Sequence, residues 1–260
     1  MTMNYFAGID VGASTTKAVI IDRNRKVLGH AVANSGADFN AAAAQTFHES
    51  QNKTSKKIQP RCVVVATGYG RRNVPFVHRI KTEISCHAKG SFFYFPRAHT
   101  LIDIGGQDSK IIKIDDSGKR VGFKMNRKCA AGTGAFLEEI ARRLQVKMDR
   151  LNQLAEKAEK NVQIGSYCTV FTATEILTKI REGTAVKDII KGIFGSVIKR
   201  AMEMDPLEGN IVMSGGVVAY NPYLVKMLEE RLNRKVFVPP LPQLTGAFGA
   251  ALYALEAKGG

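Results

Sequence analysis

The sequence predicts an α/β fold built from one unit used twice, and three observations predict it. First, the stretch DVGASTTKAVIIDRNRKVLG (10–29) lies over DIGGQDSKIIKIDDSGKRVG (103–122) without a gap. The pairs Asp10/Asp103, Gly12/Gly105, Lys17/Lys110, Ile21/Ile114, Asp22/Asp115, Lys26/Lys119 and Gly29/Gly122 are identical. Second, each copy reads as an apolar strand (YFAGI or HTLIDI), a small polar turn, a β-rich run (KAVIID or KIIKID) and a second turn at DRNRK or DDSGK. Third, runs of helical period follow. In GTGAFLEEIARRL the residues Phe136, Ile140 and Leu144 recur on one face. In TVFTATEILTKIREG, Thr172 and Glu175 stand at capping-box spacing and Gly183 marks a stop.

The first strand predicted is YFAGIDVG, and no charged-then-apolar leader precedes it. No apolar stretch approaches the ~18 residues that cross a bilayer, so the expectation is a cytoplasmic protein without membrane partners. A chain of 260 residues that is 45% hydrophobic can build one large or two ordinary cores. Cys62, Cys86, Cys129 and Cys168 are scattered along it, which argues for thiols or ligands rather than a disulfide scaffold. The net charge of +15 suits an acidic or phosphorylated partner. Its basic residues are spread through DRNRK, NKTSKK, GRR and NRK with no interleaved aromatics, so nucleic acid is not expected.

The loop of each copy has the composition of an anion cradle. Gly12 and the Gly105–Gly106 pair let backbone N–H groups approach phosphate, the hydroxyls of Ser14, Thr15, Thr16 and Ser109 can donate, and a lysine adds charge. Each loop opens with a carboxylate, Asp10 or Asp103, placed to hold hydrated Mg²⁺ or orient a water. GASTTK lacks the second glycine of a Walker A loop, which disfavours a P-loop NTPase. A third glycine-rich element, IVMSGGVVAYNPYL, predicts a strand, the Gly215–Gly216 turn and a helix opened near Asn221–Pro222, a place for a nucleoside. TGAFGAALYAL near the C-terminus carries small residues at helical spacing, which favours close packing. His87 has no second histidine at metal spacing, and zinc is not expected.

These elements together resemble the actin, sugar kinase and Hsp70-like ATPase fold, two duplicated α/β lobes with a nucleotide cleft between them. The more specific resemblance is to the activators of 2-hydroxyacyl-CoA dehydratases, the BadF/BadG/BcrA/BcrD-type iron–sulfur ATPase family that includes benzoyl-CoA reductase subunits. It rests on GIDVGASTTK, ATGYGR, EISCHAKG, DIGGQDSK, MNRKCAAGTGAFLE, CTVF, SGGV and GAFGAALYA, which run in family order from residue 7 to 254. The resemblance implies a first lobe over 1–95, completed by a C-terminal helix at 245–258, and a second lobe over 96–244. It implies ATP or ADP with Mg²⁺, with Asp10 and Asp103 managing the metal and the attacking water. Nucleotide would be bound at Gly12, Ala13, Ser14, Thr15, Thr16 and Lys17, at Gly105, Gly106 and Gln107, at Gly132, Thr133 and Gly134, and at Gly215, Gly216 and Gln243.

The same resemblance makes Cys129 and Cys168 the ligands of a [4Fe–4S] cluster. Both lie near predicted helix N-termini, whose positive ends favour thiolate. A cube wants four thiolates and one chain offers two, so a homodimer sharing one bridging cluster is expected. Cys62 and Cys86 are read as structural. The implied activity is ATP-dependent delivery of low-potential electrons to a partner iron–sulfur enzyme: a 2-hydroxyacyl-CoA dehydratase, an aryl-CoA reductase or a double-cubane-type protein. Ferredoxin or flavodoxin is the expected donor, and nucleotide-driven closure would alter the angle between subunits. The family more often has alanine and serine where this chain has Thr172 and Thr174. The alternative reading is a small-molecule kinase or an ATP-gated conformational protein of the same fold without a cluster.

Overall fold

Residues 5–54, 62–165 and 168–257 are described by the computed structural model. The repeat appears as two matching triplets of strands. In the first copy β1 (Phe6–Val11), β2 (Thr15–Ile21) and β3 (Val27–Asn34) lead into α1 (Phe39–Asn52), β4 (Val63–Thr67), β5 (Arg79–Ile80) and α2 (Glu83–Tyr94). In the second, β6 (His99–Ile104), β7 (Ser109–Ile114) and β8 (Arg120–Asn126) lead into α3 (Gly134–Arg143), α4 (Leu151–Glu156), α5 (Thr169–Arg181) and α6 (Val186–Met204). There follow β9 (Ile211–Ser214), α7 (Gly216–Tyr220), α8 (Pro222–Leu232), β10 (Val236–Phe237) and α9 (Thr245–Glu256). The C-terminal helix therefore ends at Glu256, and residue 258 of its expected span lies outside the described residues. Among the described residues no helix is long and apolar enough to cross a membrane.

The identical positions of the repeat do identical backbone work. The Gly12 N–H donates to Thr15 O and the Gly105 N–H to Asp108 O, closing the two loops the same way. Further on, the Oδ1 atoms of Asp22 and Asp115 accept from the N–H of Lys26 and Lys119, each at 2.9 Å. Asx-type bonding of this sort fixes a turn without help from the rest of the fold.

The chain separates into two units, the first comprising Met1–Arg97, Ile114–Arg120 and Leu244–Gly260, the second Ala98–Lys113 and Val121–Gln243. The first has a sheet in the order β3-β2-β1-β4-β5, with β1 antiparallel to β2 and parallel to β4. Strand alternation sends Ala7, Ile9 and Val11 into one core with Ala18, Ile20 and Ala43. Gly8 and Asp10 fall on the opposite face, which α9 covers. Its small residues permit unusually close approach. A Cβ at Gly8 would come within 1.9 Å of Ala247 O, one at Gly249 within 1.8 Å of Cys86 O, and one at Gly90 within 2.2 Å of Thr245 O. The second unit's sheet runs β10-β9-β6-β7-β8, and Ile102, Phe136, Ile193, Phe194 and Met213 belong to its core.

Candidate functional site

Asp10 stands at the end of β1, on the face turned to α9, and is 3% exposed. Its Oδ2 is 3.7 Å from Lys17 Nζ, while Oδ1 is buried without a hydrogen-bond partner. Glycine makes the room around it. Gly68, in the ATGYGR stretch, has φ +88°, and a Cβ there would sit 2.4 Å from Asp10 Oδ1. Lys17 reaches back over the loop, its Nζ 3.3 Å from where a Gly12 Cβ would be. Ala13 is exposed and Ser14 and Thr15 half-exposed, so the loop presents these residues outward. Thr16 differs from them. Its side chain is fully buried and its hydroxyl pairs with Ser35 Oγ at 2.9 Å, while Ser35 donates to Gly12 O at 2.7 Å. Thr16 thus supports the loop from beneath, with Ser35, which the sequence reading missed because it lies 23 residues from Gly12.

The loop of the second unit shares the backbone but not the electrostatics. Asp103 Oδ1 accepts from Ser214 Oγ at 2.7 Å, and Oδ2 from Lys110 Nζ at 3.3 Å. Lys110, the counterpart of Lys17, is 2% exposed and also binds Asp108 Oδ1 at 2.6 Å. Its charge is spent inside the loop. Ser109 likewise turns its hydroxyl to Met204 Sδ, 3.8 Å away, rather than outward. What this loop offers is its backbone at Gly105 and Gly106 and the exposed side chain of Gln107.

The stretch before α3 braces that loop. The N–H groups of Gly134 and Ala135 donate to Gly105 O and Gly106 O at 2.9 and 2.7 Å. A Cβ at Gly134 would lie 3.1 Å from Gly106 Cα, so a side chain there would press on the Gly105–Gly106 backbone. Thr133 is buried and donates to Ala130 O. Gly132, at φ +80°, packs on Arg200. Two of the orphan donors at the start of α3 are consumed in holding the Gly105–Gly106 backbone in place. Beside them Gly215 (φ +102°) abuts Ile104 O, and its N–H donates to Pro242 O. Gln243 lies against Gly216.

The four thiols divide into two kinds. Cys62 and Cys86 are buried, and burial pushes each up to about 12. For Cys86 the hydrogen bond with Thr67 opposes that rise most, nearby Asp10 and Glu83 add to it, and Lys81 opposes it slightly. Cys129 and Cys168 are half-exposed. The Cys129 turn is held by Asn126, whose Nδ2 donates to Cys129 O and Ala131 O while Oδ1 accepts the Cys129 N–H. Asn126 was absent from the predicted site, although it stands three residues before the cysteine. Cys168 is the N-cap residue of α5, and its thiol makes no capping bond. This corrects the capping box read at Thr172 and Glu175. The helix begins one turn earlier, the Thr172 hydroxyl donates inside it to Cys168 O, and Glu175 accepts the Gly165 N–H. The stop at Gly183 is where the helix closes, with φ +76° and its N–H on Ile180 O. Helices α3 and α5 are in contact. Among the described residues no three His, Cys, Asp or Glu side chains gather as a ligand set.

Comparison with known proteins shows that residues 7–254 match the model of the BadF/BadG/BcrA/BcrD ATPase family. The chain belongs to that family. An activator of lactoyl-CoA dehydratase from Anaerotignum propionicum is 42% identical, over 97% of this chain and 98% of its own length. Component A of (R)-2-hydroxyglutaryl-CoA dehydratase from Acidaminococcus fermentans superposes with a TM-score of 0.90 at 37% identity, covering 99% of this chain and all of that one. The activator of 2-hydroxyisocaproyl-CoA dehydratase from Clostridium difficile, solved with bound ADPNP, gives 0.89 at 37% identity over 97% and 95%. A family ATPase thus shares its fold with sugar kinases: a ROK glucokinase from Streptomyces griseus reaches 0.58 at 12% identity, covering 97% of this chain and 99% of its own. The fold is that of the actin, sugar kinase and Hsp70-like ATPases.

Proposed function

We propose that this family member is a homodimeric, ATP-dependent activator that passes low-potential electrons to a partner iron–sulfur enzyme. The observation that carries the reading is the division of its thiols: two sealed in cores, and two half-exposed, at the N-cap of α5 and just ahead of α3. The names of the relatives, activators of 2-hydroxyacyl-CoA dehydratases, support the acceptor class. A dehydratase of that kind, an aryl-CoA reductase or a double-cubane-type protein would accept the electron, and ferredoxin or flavodoxin would supply it.

The ADPNP-bound relative supports MgATP as the nucleotide. Asp10 fits a hydrated Mg²⁺ or the attacking water, because a buried carboxylate oxygen without a donor is costly until one of these satisfies it. Lys17 offers its charge to phosphate, the backbone of Gly105–Gly106 and the side chain of Gln107 offer donors, and Gly215, Gly216 and Gln243 take the adenosine side. Asp103 orients its loop through Ser214 and Lys110. Cys129 and Cys168 would hold half of a [4Fe–4S] cluster, the second subunit supplying the other two thiolates. When bound, the cluster would supply a one-electron carrier at the protein surface. Asn126 fixes the direction in which Cys129 presents its thiol, and α5 presents that of Cys168.

Iron counting on anaerobically reconstituted protein tests this. About four irons per dimer are expected for one bridging four-thiolate cluster. Cys129→Ala and Cys168→Ala should retain almost none, whereas Cys62→Ala keeps its iron. A normal [4Fe–4S] spectrum in Cys129→Ala, or about twice the iron, would overturn the reading.

A further inference from the structure

Helix α6 carries two glycines, and packing explains only one of them. At Gly192 a Cβ would lie 2.5 Å from Val162 O and 2.9 Å from Ile164 Cγ1, so the stretch 161–164 lies directly on the helix there. At Gly195, less than one turn further on, a Cβ would meet nothing within 4 Å. Glycine inside a helix costs about 1 kcal/mol against alanine, and here no neighbour demands it. Gly195 instead lines a groove of about 650 Å³ formed by α6, α8 and residues 161–164, all within the second unit. Ile164, Ile198 and Met227 give the groove an apolar lining.

Its charge is mostly of one sign. Lys191, Gly195 and Lys199 follow at four-residue intervals on one face of α6, so the lysines stand about 12 Å apart along the helix with the glycine between them. Arg231 lines the groove from α8, and Glu230 is its one carboxylate among the described residues. Lys191 and Arg231 have no ion pair or hydrogen bond there. The wall at 161–164 supplies main chain. Asn161 and Gln163 are exposed, Val162 is half-buried and Ile164 buried, the alternation of an extended segment, yet none of the four makes a backbone hydrogen bond among the described residues. The segment is held at both ends. Asp188 Oδ1 accepts the N–H groups of Glu159 and Lys160 at 2.8 and 3.0 Å, and Glu175 Oε2 accepts that of Gly165 at 2.7 Å.

We propose that this groove receives a short, extended, acidic segment of the protein that accepts the electrons; the inference rests on the electron-transfer reading of the two half-exposed cysteines. Unbonded main chain along one wall suits a strand laid beside it, with alternate side chains turned into the groove. One apolar side chain fills the space over Gly195. The carboxylates two places before and two places after it stand about 13 Å apart on the same face of the strand, which matches the separation of Lys191 and Lys199. The segment therefore reads acid, any, apolar, any, acid. A small anion would meet the cations but leave the apolar lining and the main chain unused. The place suits an electron acceptor, because Ile164 is four residues from Cys168, at most about 14 Å of chain.

Fluorescence polarisation with the cluster-free protein tests the groove apart from electron transfer. The probe is a labelled peptide centred on Glu-Thr-Leu-Thr-Glu, with Lys-Thr-Leu-Thr-Lys as its control. The wild type should bind the first and not the second. Lys191→Glu combined with Lys199→Glu should weaken binding about tenfold, since two surface attractions become repulsions, and Glu230→Lys should strengthen it. Gly195→Leu should abolish binding without a fall in melting temperature, because the new side chain enters open space and leucine favours the helix. Lys226→Glu, a charge reversal on α8 outside the groove lining, should leave binding unchanged. In the cluster-bearing protein the acidic peptide should slow acceptor reduction and leave ATP hydrolysis by the activator alone as it was. No binding by the wild type, equal binding by Gly195→Leu, displacement by citrate as effective as by unlabelled peptide, or acceptor reduction indifferent to saturating peptide would each overturn the proposal. A protein that binds the peptide through this groove but reduces no acceptor would instead sink the electron-transfer reading.

Discussion

Asp10 and Asp103 occupy equivalent places in the repeat, yet only one of them has its charge fully answered. Asp103 is bound by Ser214 and Lys110, the second of which is itself buried. Replacing it with Asn takes one of its carboxylate partners from the buried Lys110 ammonium, and breaking a buried pair of this kind costs about 3 kcal/mol or more. Asp10→Asn removes a buried charge that has one orphan oxygen, so it should leave stability unchanged or raise it. Both changes are expected to abolish ATP hydrolysis and leave cluster absorbance intact, and urea denaturation separates them by the fall in midpoint for Asp103→Asn only. The thiols give a second residue-scale test. Cys62 and Cys86, pushed up to about 12, carry almost no thiolate near neutral pH. A thiol reagent should therefore count two groups per chain in the native cluster-free protein and four after unfolding. Because their folded values lie above the ordinary 9.0, the stability they contribute is complete below that pH and is lost as pH rises toward 12. Cys86→Ala should flatten the alkaline fall in stability.

At the scale of elements, what was legible in the sequence is what local chemistry decides. The paired strands and their turns follow from alternation and from Asp22 and Asp115, which close their turns with their own side chains. The start of α5 was misread because Thr172 and Glu175 satisfy a spacing that recurs at every turn of a helix, whereas the real N-cap, Cys168, has no side-chain bond to announce it. Ser35 beneath Gly12 and Ser214 on Asp103 were illegible for a different reason, since their partners arrive from 23 and 111 residues away. Tertiary packing also decides α9. Gly249→Ala gains helix propensity but drives a methyl to 1.8 Å from the Cys86 carbonyl. Overpacking should win, with a net loss of about 2 kcal/mol by urea denaturation; an unchanged midpoint would mean that α2 and α9 yield freely. Helix α5 also leaves Val170 and Phe171, two and three residues after Cys168, at 70% and 75% exposure, and Leu177 further along at 59%. In the proposed dimer Val170 and Phe171 offer exposed apolar surface on the first turn after one of the shared thiolates. Phe171→Asp should weaken dimerisation by about 2 kcal/mol, the size of a hot-spot residue, and lower iron content in proportion when mass is followed by light scattering.

For the whole molecule the governing quantity is charge, 38 basic against 23 acidic residues and a net +15. Such an excess adds little to folding, and most of its members sit on exposed strands, helices and turns, among them Arg127 and Lys128 immediately before Cys129. Its effect falls on association. A protein that transfers electrons to another must bring its carrier close and then separate, and long-range attraction raises the encounter rate without demanding a large permanent interface. The half-exposed cysteines and the two basic residues beside one of them make the acceptor's docking face acidic in this reading. Attraction between opposite fields is screened over a Debye length of about 10 Å at 0.1 M salt. Raising NaCl from about 0.05 to 0.3 M should therefore cut the second-order rate of acceptor reduction roughly tenfold, within the range that electrostatic steering supplies. ATP hydrolysis by the activator alone should change far less, because the proposed site would hold MgATP largely through the buried Asp10 and the Gly105–Gly106 backbone, which salt screens weakly. Arg127→Glu with Lys128→Glu should lower the reduction rate at low salt and remove most of the salt dependence, with iron content unchanged. A rate indifferent to salt in the wild type would show that the excess charge serves some other purpose than meeting this partner.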